Sequence, residues 1–383
     1  MSDQRRILHV FKYFRPDFTG EGTFLERIAP AFRKARPDVG HDVLCTLTGE
    51  PQGGIGALDG IGSVRYLTAR SNKSAMTFVE LFWWTLRNIW RYDVVHYHTH
   101  VDRTFLSYWL ASLLGKRIVL SATLDDSTLQ IGSSYRAWLR PLVRRLLRRF
   151  DAFVSISPRL HAETVSDLGD SRAHLIPMGI NMPQLSEERR LQARRNLGFK
   201  DDTRVLISVG ALSERKDQMT LVRALPDIVA KFPDLVLVLM GPALEPAYAK
   251  KLDEFIQANG LQQNVRLAGW VQEPWPYYEA ADMMVFASHE EGFGTAMIEA
   301  MSYALPVVAR RLPGVNDVFI KSGETGFLFD HEQQFRDAVL RVLAEPDLRR
   351  KMGADARTFV IPRFGMDQIS ARYLAVYGLG QPG

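Results

Sequence analysis

Short runs of Val, Ile and Leu recur from one end of this chain to the other, with helical patterns between most of them. The runs are continuously apolar and do not alternate strictly with polar residues. That pattern belongs to parallel strands covered on both faces. The first series reads as strands near Ile7–Phe11, His41–Leu47, Ser63–Thr68, Asp93–His98, Arg117–Ala122, Ala152–Ile156 and His174–Pro177. An arginine-rich stretch, Ser186 to Asn196, interrupts it. The pattern then restarts at Val205–Val209, Leu235–Met240, Val265–Ala268, Met283–Ala287 and Pro306–Ala309, with a short run at Gly326–Phe329. Two successive β/α series predict an α/β protein of two doubly wound, Rossmann-like domains. The boundary is expected near Met178–Ser186, dividing residues 1–180 from 181–360, and helices after His331 close the chain.

At 383 residues the chain has room for two such cores. Hydrophobic residues make up 46% and charged residues 24%, the balance of a globular protein and not of a disordered one. Cys45 is the only cysteine, which leaves no disulfide framework and no cysteine-based metal site. Ile7–Phe11 is shorter than the apolar stretch of a secretory signal and lacks its small-residue cleavage site, and no apolar run approaches the roughly 20 residues of a membrane span. A cytoplasmic location is the expectation.

The segment from His289 to Met301 carries the most chemical information. Glu291-Gly292-Phe293-Gly294 joins an apolar run to a helical pattern that holds Thr295, Ala296 and Glu299. A strand, a glycine turn and a helix can hold an anion against free backbone N–H groups. Glu291 precedes the helix and Glu299 lies more than one turn inside it, so both phosphate donors and hydroxyl acceptors are present. Such a set suits a nucleotide sugar.

Other strand ends add candidates. Gly210 ends a strand and leads to Arg215 and Lys216, a forked and a point charge that could neutralise a diphosphate or simply sit in solvent. In the first series, Gly20, Glu21 and Gly22 form a loop before the helical Phe24–Ala35, where the glycines let backbone approach a ligand or make an ordinary turn. The dinucleotide fingerprint spacing is absent there, which disfavours NAD or FAD. His96, His98 and His100 share a face; lining a cleft suits them better than metal binding, because no carboxylate or cysteine joins them in sequence.

Two helical stretches concern surfaces. Met76 to Trp90 is strongly aromatic, and Tyr135 to Phe150 interleaves Arg136, Arg140, Arg144, Arg145, Arg148 and Arg149 with leucines. The second reads equally as a membrane-lying basic helix and as a domain helix with a solvated face. Peripheral contact with the inner face of a membrane is therefore one expectation. Nucleic acid is not expected, since no recognised motif accompanies the charge.

Taken together, these residues resemble the retaining glycosyltransferases of family 4, which have the GT-B fold. The matching pieces are Glu291-Gly292-Phe293-Gly294 through Glu299-Ala300-Met301, Pro306-Val307-Val308-Ala309, Gly323-Glu324-Thr325-Gly326, Ile176-Pro177-Met178-Gly179-Ile180 and Asp93-Val94-Val95-His96. The resemblance implies two Rossmann-like domains facing across a cleft. The N-terminal one would bind an acceptor and the C-terminal one a nucleotide diphosphate sugar, and residues 361–383 would pack back on the first. It also implies that Glu291 contacts donor-sugar hydroxyls and Glu299 the ribose, while backbone near Gly294, Thr295 and Ala296 holds the phosphates. Arg215 and Lys216 would complete the neutralisation, with no metal and no cofactor beyond the donor itself.

The sequence departs from the family at two places. Ala211 stands where many relatives carry arginine, and Thr123 where relatives often carry histidine. Thr123 could bond a sugar hydroxyl and Asp125 or Asp126 could polarise one, but the histidine's role does not carry over. The resulting expectation is sugar transfer, with retention, to a hydroxyl of a carbohydrate or lipid-linked acceptor, such as a polysaccharide precursor. A nucleotide-sugar epimerase, a sugar phosphorylase, and a non-catalytic, membrane-associated nucleotide-sugar binder are the alternatives.

Overall fold

The computed structural model describes residues 5–17, 20–47, 49, 56–67, 75–98, 105–122, 137, 138 and 140–380. The chain divides into two units, Met1–Gly179 with Met366–Gly383, and Ile180–Gly365. The return to the first unit thus falls at Met366, five residues later than the expected 361.

In the first unit the strands are β1 (Arg6–Phe11), β2 (Gly40–Cys45), β3 (Ser63–Tyr66), β4 (Val94–Tyr97), β5 (Arg117–Ala122), β6 (Ala152–Ser155) and β7 (Ala173–Leu175). They form one parallel sheet in the order β3-β2-β1-β4-β5-β6-β7. The helices are α1 (Gly20–Ala35), α2 (Ala75–Asn88), α3 (Phe105–Leu113), α4 (Arg140–Leu147) and α5 (Pro158–Leu168). Leu8, Val10, Val95 and Leu120 on one sheet face pack with Leu81 of α2, Tyr108 of α3, and Val143 and Leu147 of α4. That core explains α4: its leucine stripe is spent on the sheet, and its arginines are what remains outside.

The second unit holds β8 (Arg204–Val209), β9 (Leu235–Met240), β10 (Val265–Gly269), β11 (Met283–Phe286), β12 (Val307–Arg310) and β13 (Gly326–Phe329), parallel in the order β10-β9-β8-β11-β12-β13. Its helices are α6 (Glu187–Asn196), α7 (Gln218–Arg223), α8 (Leu225–Val229), α9 (Pro246–Ala258), α10 (Trp275–Ala280), α11 (Thr295–Ser302), α12 (Glu332–Ala344) and α13 (Pro346–Phe364); α14 (Met366–Val376) belongs to the first unit. The arginine-rich stretch is α6. Ser186 caps it by accepting from Arg189 N, and Glu187 and Glu188 sit in its first turn. Arg190 donates to Asp282 at 2.8 Å, and buried Arg194 lies 3.6 Å from the same carboxylate. Asp282 in turn accepts from Val205 N at 2.8 Å, which ties the helix to the starts of β8 and β11.

One reading of the first unit is corrected. Gly20, Glu21 and Gly22 are not a loop; they are the first turn of α1. First-turn N–H groups make no intrahelical bonds, so glycine costs little there, and Glu21 favours the helix N-terminus. Nor do the strand-end histidines line a surface. His96 and His98 are buried in the core with His9 and His41, and His100 lies outside the described residues.

Those four rings form a polar network on the sheet face beneath α1 and α14. His9 Nδ1 is bonded to His98 Nε2 at 2.9 Å and His9 Nε2 to His41 Nδ1 at 3.0 Å. His96 joins Tyr377 of the C-terminal segment at 2.7 Å and Ser121 at 2.8 Å. His9, His96 and His98 keep nitrogens within 4.8 Å of one another, and these hydrogen bonds already engage each ring. Burial disfavours the imidazolium form, which lowers His41 to about 4 and His96 to about 3, and puts His9 and His98 well below 6.5.

Unfolded histidines protonate near 6.5, whereas these stay neutral in the fold to much lower pH. Their contribution to stability is complete above 6.5 and disappears as pH falls toward the folded values. Each such ring should steepen acid destabilisation by about 1.4 kcal/mol per pH unit within that window. Thermal melts from neutral pH down to about 4 should show the loss, and His41→Phe should flatten it. Parallel curves for the two proteins would be incompatible with neutral buried rings.

Candidate functional site

Strand order locates the site in the second unit. From β8 the chain turns outward to β9 and β10 on one side, while β11 to β13 fill the other side. The loops that follow β8 and β11 therefore emerge side by side at the switch point, where open parallel sheets bind ligands.

Hydrogen bonds to backbone carbonyls fasten the two loops together. His289 N donates to Arg215 O at 2.9 Å, and Ser288 Oγ donates to Arg215 O at 3.2 Å and to Glu290 O at 2.9 Å. Arg215 Nη1 returns a bond of 2.7 Å to Glu290 O. The side chains then converge. Lys216 Nζ sits 2.5 Å from Glu291 Oε1, and Arg215 Nη1 3.6 Å from the same oxygen. Lys216 and Glu291 are largely buried, at 15% and 12% side-chain exposure, whereas Arg215 is 44% exposed. Two cations face one carboxylate, so the cluster retains a positive charge for an incoming anion.

Glycine makes this approach possible. A Cβ on Gly241 would stand 2.2 Å from Gly210 O, so β9's end can pack on the loop after β8 only without a side chain. At the other loop, Gly294 adopts φ 87° and ψ 47°, a left-handed conformation that turns the chain into α11. No side-chain hydrogen bond caps α11, whose first turn follows directly on the Glu291 loop, so its first N–H groups are not taken up by a capping side chain. Phe293 contributes only backbone here, because its ring is buried against Phe319 and Phe364 at 5.8 and 5.7 Å. Glu299 follows one turn into α11 and accepts from Tyr278 Oη of α10 at 3.0 Å. Tyr278 is itself held by stacking on Tyr303 at 5.3 Å.

Thus the second unit brings together Gly210, Arg215, Lys216, Glu291, Gly292, Gly294, Thr295 and Ala296, with Glu299 behind them. In the first unit, Thr123, Asp125 and Asp126 lie outside the described residues. Three supporting residues escape sequence reasoning: Tyr278, Asp217 and Arg310. Asp217 holds a left-handed φ of 46° immediately after Lys216, and its side chain accepts from Thr220 N at 3.3 Å and Thr220 Oγ1 at 2.6 Å. Arg310, at the end of β12, donates to Asp217 Oδ2 at 2.6 Å and to Ala287 O at 2.8 Å. His289 Nε2 is 3.2 Å from the same Asp217 oxygen. One aspartate therefore anchors the Lys216 turn to both β11 and β12. Only an arginine ending an apolar run hinted at it.

Comparison with known proteins follows this division. Residues 18–183 match the family model of Glycosyltransferase Family 4, and residues 189–359 that of Glycosyl transferases group 1. The chain is 23% identical over 299 residues to N-acetyl-alpha-D-glucosaminyl L-malate synthase of Bacillus anthracis, covering 74% of each chain. It is 29% identical over 231 residues to the lipopolysaccharide core biosynthesis glycosyltransferase LpsE of Rhizobium meliloti, covering 59% of this chain and 64% of that one. The crystal structure of Anabaena Alr3699/HepE in complex with UDP and glucose superposes with a TM-score of 0.76 at 19% identity, covering 98% of this chain and 99% of that one. These likenesses establish two Rossmann-like units of the GT-B type.

The Asp217–Arg310 pair is nearly buried, at 16% and 17% side-chain exposure, so removing one partner strands the other charge. Arg310→Ala and Asp217→Ala should each cost about 2 kcal/mol of stability, with coupling of about 1 kcal/mol or more in a double-mutant cycle. Denaturant unfolding measures both; strictly additive losses would mean that the two side chains do not support each other.

Proposed function

Because this chain belongs to glycosyltransferase family 4, we propose that it moves a sugar from a nucleotide diphosphate sugar to an acceptor hydroxyl, with retention at the anomeric carbon and without a metal. The observation that carries this reading is the Lys216–Glu291 pair at the switch point, beside the uncapped start of α11. With no ligand bound, lysine and glutamate neutralise each other. A pyrophosphate offers Lys216 and Arg215 a better partner, and Glu291 is then released to accept hydrogen bonds from the sugar hydroxyls. Glu299, held by Tyr278, is suited to the ribose.

Departure of the nucleoside diphosphate builds charge on the β-phosphate. Lys216, Arg215 and the α11 N–H groups would stabilise that charge more in the transition state than in the ground state. The acceptor hydroxyl would attack from the face that the phosphate leaves, passing its proton to the departing phosphate oxygen. No protein base is then required, which suits a chain with Thr123 where relatives often carry histidine. Since the protein supplies this charge neutralisation, chelation should leave activity unchanged.

In this reading residues 1–180 bind the acceptor and 181–360 the donor, with the enzyme working on the cytoplasmic side. The name of the LpsE relative supports a carbohydrate acceptor of a surface-polysaccharide type. The HepE complex, which holds UDP and glucose, makes uridine diphosphate sugars the first donors to try. A thermal-shift panel of nucleotide sugars identifies the donor, because a bound ligand raises the melting temperature by mass action.

With that donor and an acceptor in hand, Lys216→Ala should reduce the kcat of the folded enzyme by about 10²-fold, and it should also lower the melting temperature because the largely buried Glu291 loses its nearest cation. NMR of the product should show the donor's anomeric configuration. Turnover near wild type in Lys216→Ala would remove the charge-stabilisation role. Conversion of the nucleotide sugar without acceptor would instead point to an epimerase, and a requirement for inorganic phosphate to a phosphorylase.

A further inference from the structure

The first unit turns a row of large apolar side chains outward. Along α2 and the short 3-10 turn Ile89–Arg91, Met76, Val79, Trp83, Leu86 and Trp90 recur at intervals of three and four residues. Their exposures are 68, 48, 47, 41 and 65%. The opposite row, with Thr77, Leu81, Thr85 and Ile89, is buried. A helix needs one apolar row to join a core, and α2 has two.

Its neighbours continue the surface. Helix α2 packs on α3 and α3 on α4, and all three lie over the same sheet face. Trp109 and Leu113 of α3, with Trp138 and Leu142 near α4, are exposed as well. The charge on this layer is one-sided. Its helical segments carry Arg87, Arg91, Arg140, Arg144 and Arg145 against the single acid Glu80, five to one, and exposed Arg148 and Arg149 follow α4. Two of the arginines lie over the exposed indoles, Arg87 at 5.4 Å from the Trp83 ring and Arg91 at 5.2 Å from Trp90.

We propose that the outer face of α2, α3 and α4 docks the protein on a bilayer containing anionic lipid. Tryptophans with arginines over their rings suit the zone between headgroups and acyl chains, where the indole is buried and the guanidinium meets phosphate. This reassigns the membrane contact. Helix α4 alone cannot provide it, because Val143, Leu146 and Leu147 are in the core; α4 supplies charge and α2 supplies the apolar wedge. The three-four spacing would also fit a partner helix. A second copy is disfavoured, since a two-fold contact sets the same five arginines against themselves. Among the described residues no helix is long and apolar enough to cross a membrane, so the contact is peripheral.

The proposal stands apart from the donor reading, and its test is separable. The full chain is sedimented with vesicles of phosphatidylcholine alone or mixed with phosphatidylglycerol. Wild type should pellet with the anionic vesicles and show a blue shift in tryptophan emission. The Trp83→Ala/Trp90→Ala variant, and separately Arg144→Glu/Arg145→Glu, should lose about tenfold or more in partitioning. Melting temperature and nucleotide-induced thermal shift should hold in both variants, which reports that the fold and the second unit are intact. Failure to pellet, equal binding to neutral vesicles, or binding that either double variant leaves unchanged would overturn the proposal. A dimer that the Trp83→Ala/Trp90→Ala change dissolves would assign the face to a second copy and overturn it too.

Discussion

Everything in the second unit's candidate site depends on one close approach: the turn after β8 pressed against the turn after β11. Sheet order makes the two turns neighbours, but adjacency alone would leave Lys216 and Glu291 free to swing. Their 2.5 Å contact is held by hydrogen bonds from Ser288 Oγ, His289 N and Arg215 Nη1 to backbone carbonyls, which fix both turns. Glycine at 241 then lets the end of β9 pack against the same turn. The arrangement is internally compensated. A largely buried lysine would be costly alone, as would a largely buried glutamate, and each supplies the other's partner. That mutual need keeps both charges poised at a place where an anion can take over one half of the pair. In the proposed function, stability and ligand exchange would thus be two uses of a single ion pair.

The parts of this architecture that could be read from the chain are those written in periodicity. The thirteen strands of the described residues lie within a few residues of their expected places; continuous apolar runs mark the inner ones, which are buried on both faces, whereas the edge strands β3 and β7 are only partly buried. The Glu291–Glu299 segment is equally legible, since its glycines and carboxylates stand at fixed offsets around one turn. What stays hidden depends on contacts between distant positions. Tyr278 reaches Glu299 across 21 residues and Arg310 reaches Asp217 across 93; neither carries a local signal. Gly20 to Gly22 mislead for a different reason. Glycine is a marker of loops only where a helix would otherwise have to continue through it, and a first helical turn tolerates it.

The histidines show how a correct pattern can support the wrong conclusion. Alternation along β4 does put His96 and His98 on one face, and residues of that type at a strand end suggest a ligand surface. Register decides otherwise. His9 pairs with His96 in the ladder, and α1 and α14 close over the same side through Phe32, Tyr373 and Tyr377. The rings therefore solve a burial problem: His9 bonds to His98 and His41, and His96 to Tyr377 and Ser121.

That choice bears on the opposite face of the same sheet. A sheet covered on both sides obliges each covering helix to present an apolar row inward, and α2 with the turn after it meets this with Leu81 and Ile89. Packing on the sheet gives no reason for a second row at Met76, Val79, Trp83, Leu86 and Trp90. Keeping it in water forgoes roughly 1.5–3 kcal/mol for each large side chain that burial would return. Among the described residues the row stays exposed, and the proposed docking is what would recover that energy. The five arginines around it restrict what that can be: a surface that is extended, carries negative charge, and has an apolar interior within reach of an indole. A bilayer with anionic headgroups has all three properties at once, whereas a folded protein partner would have to place acids around an apolar groove of matching length.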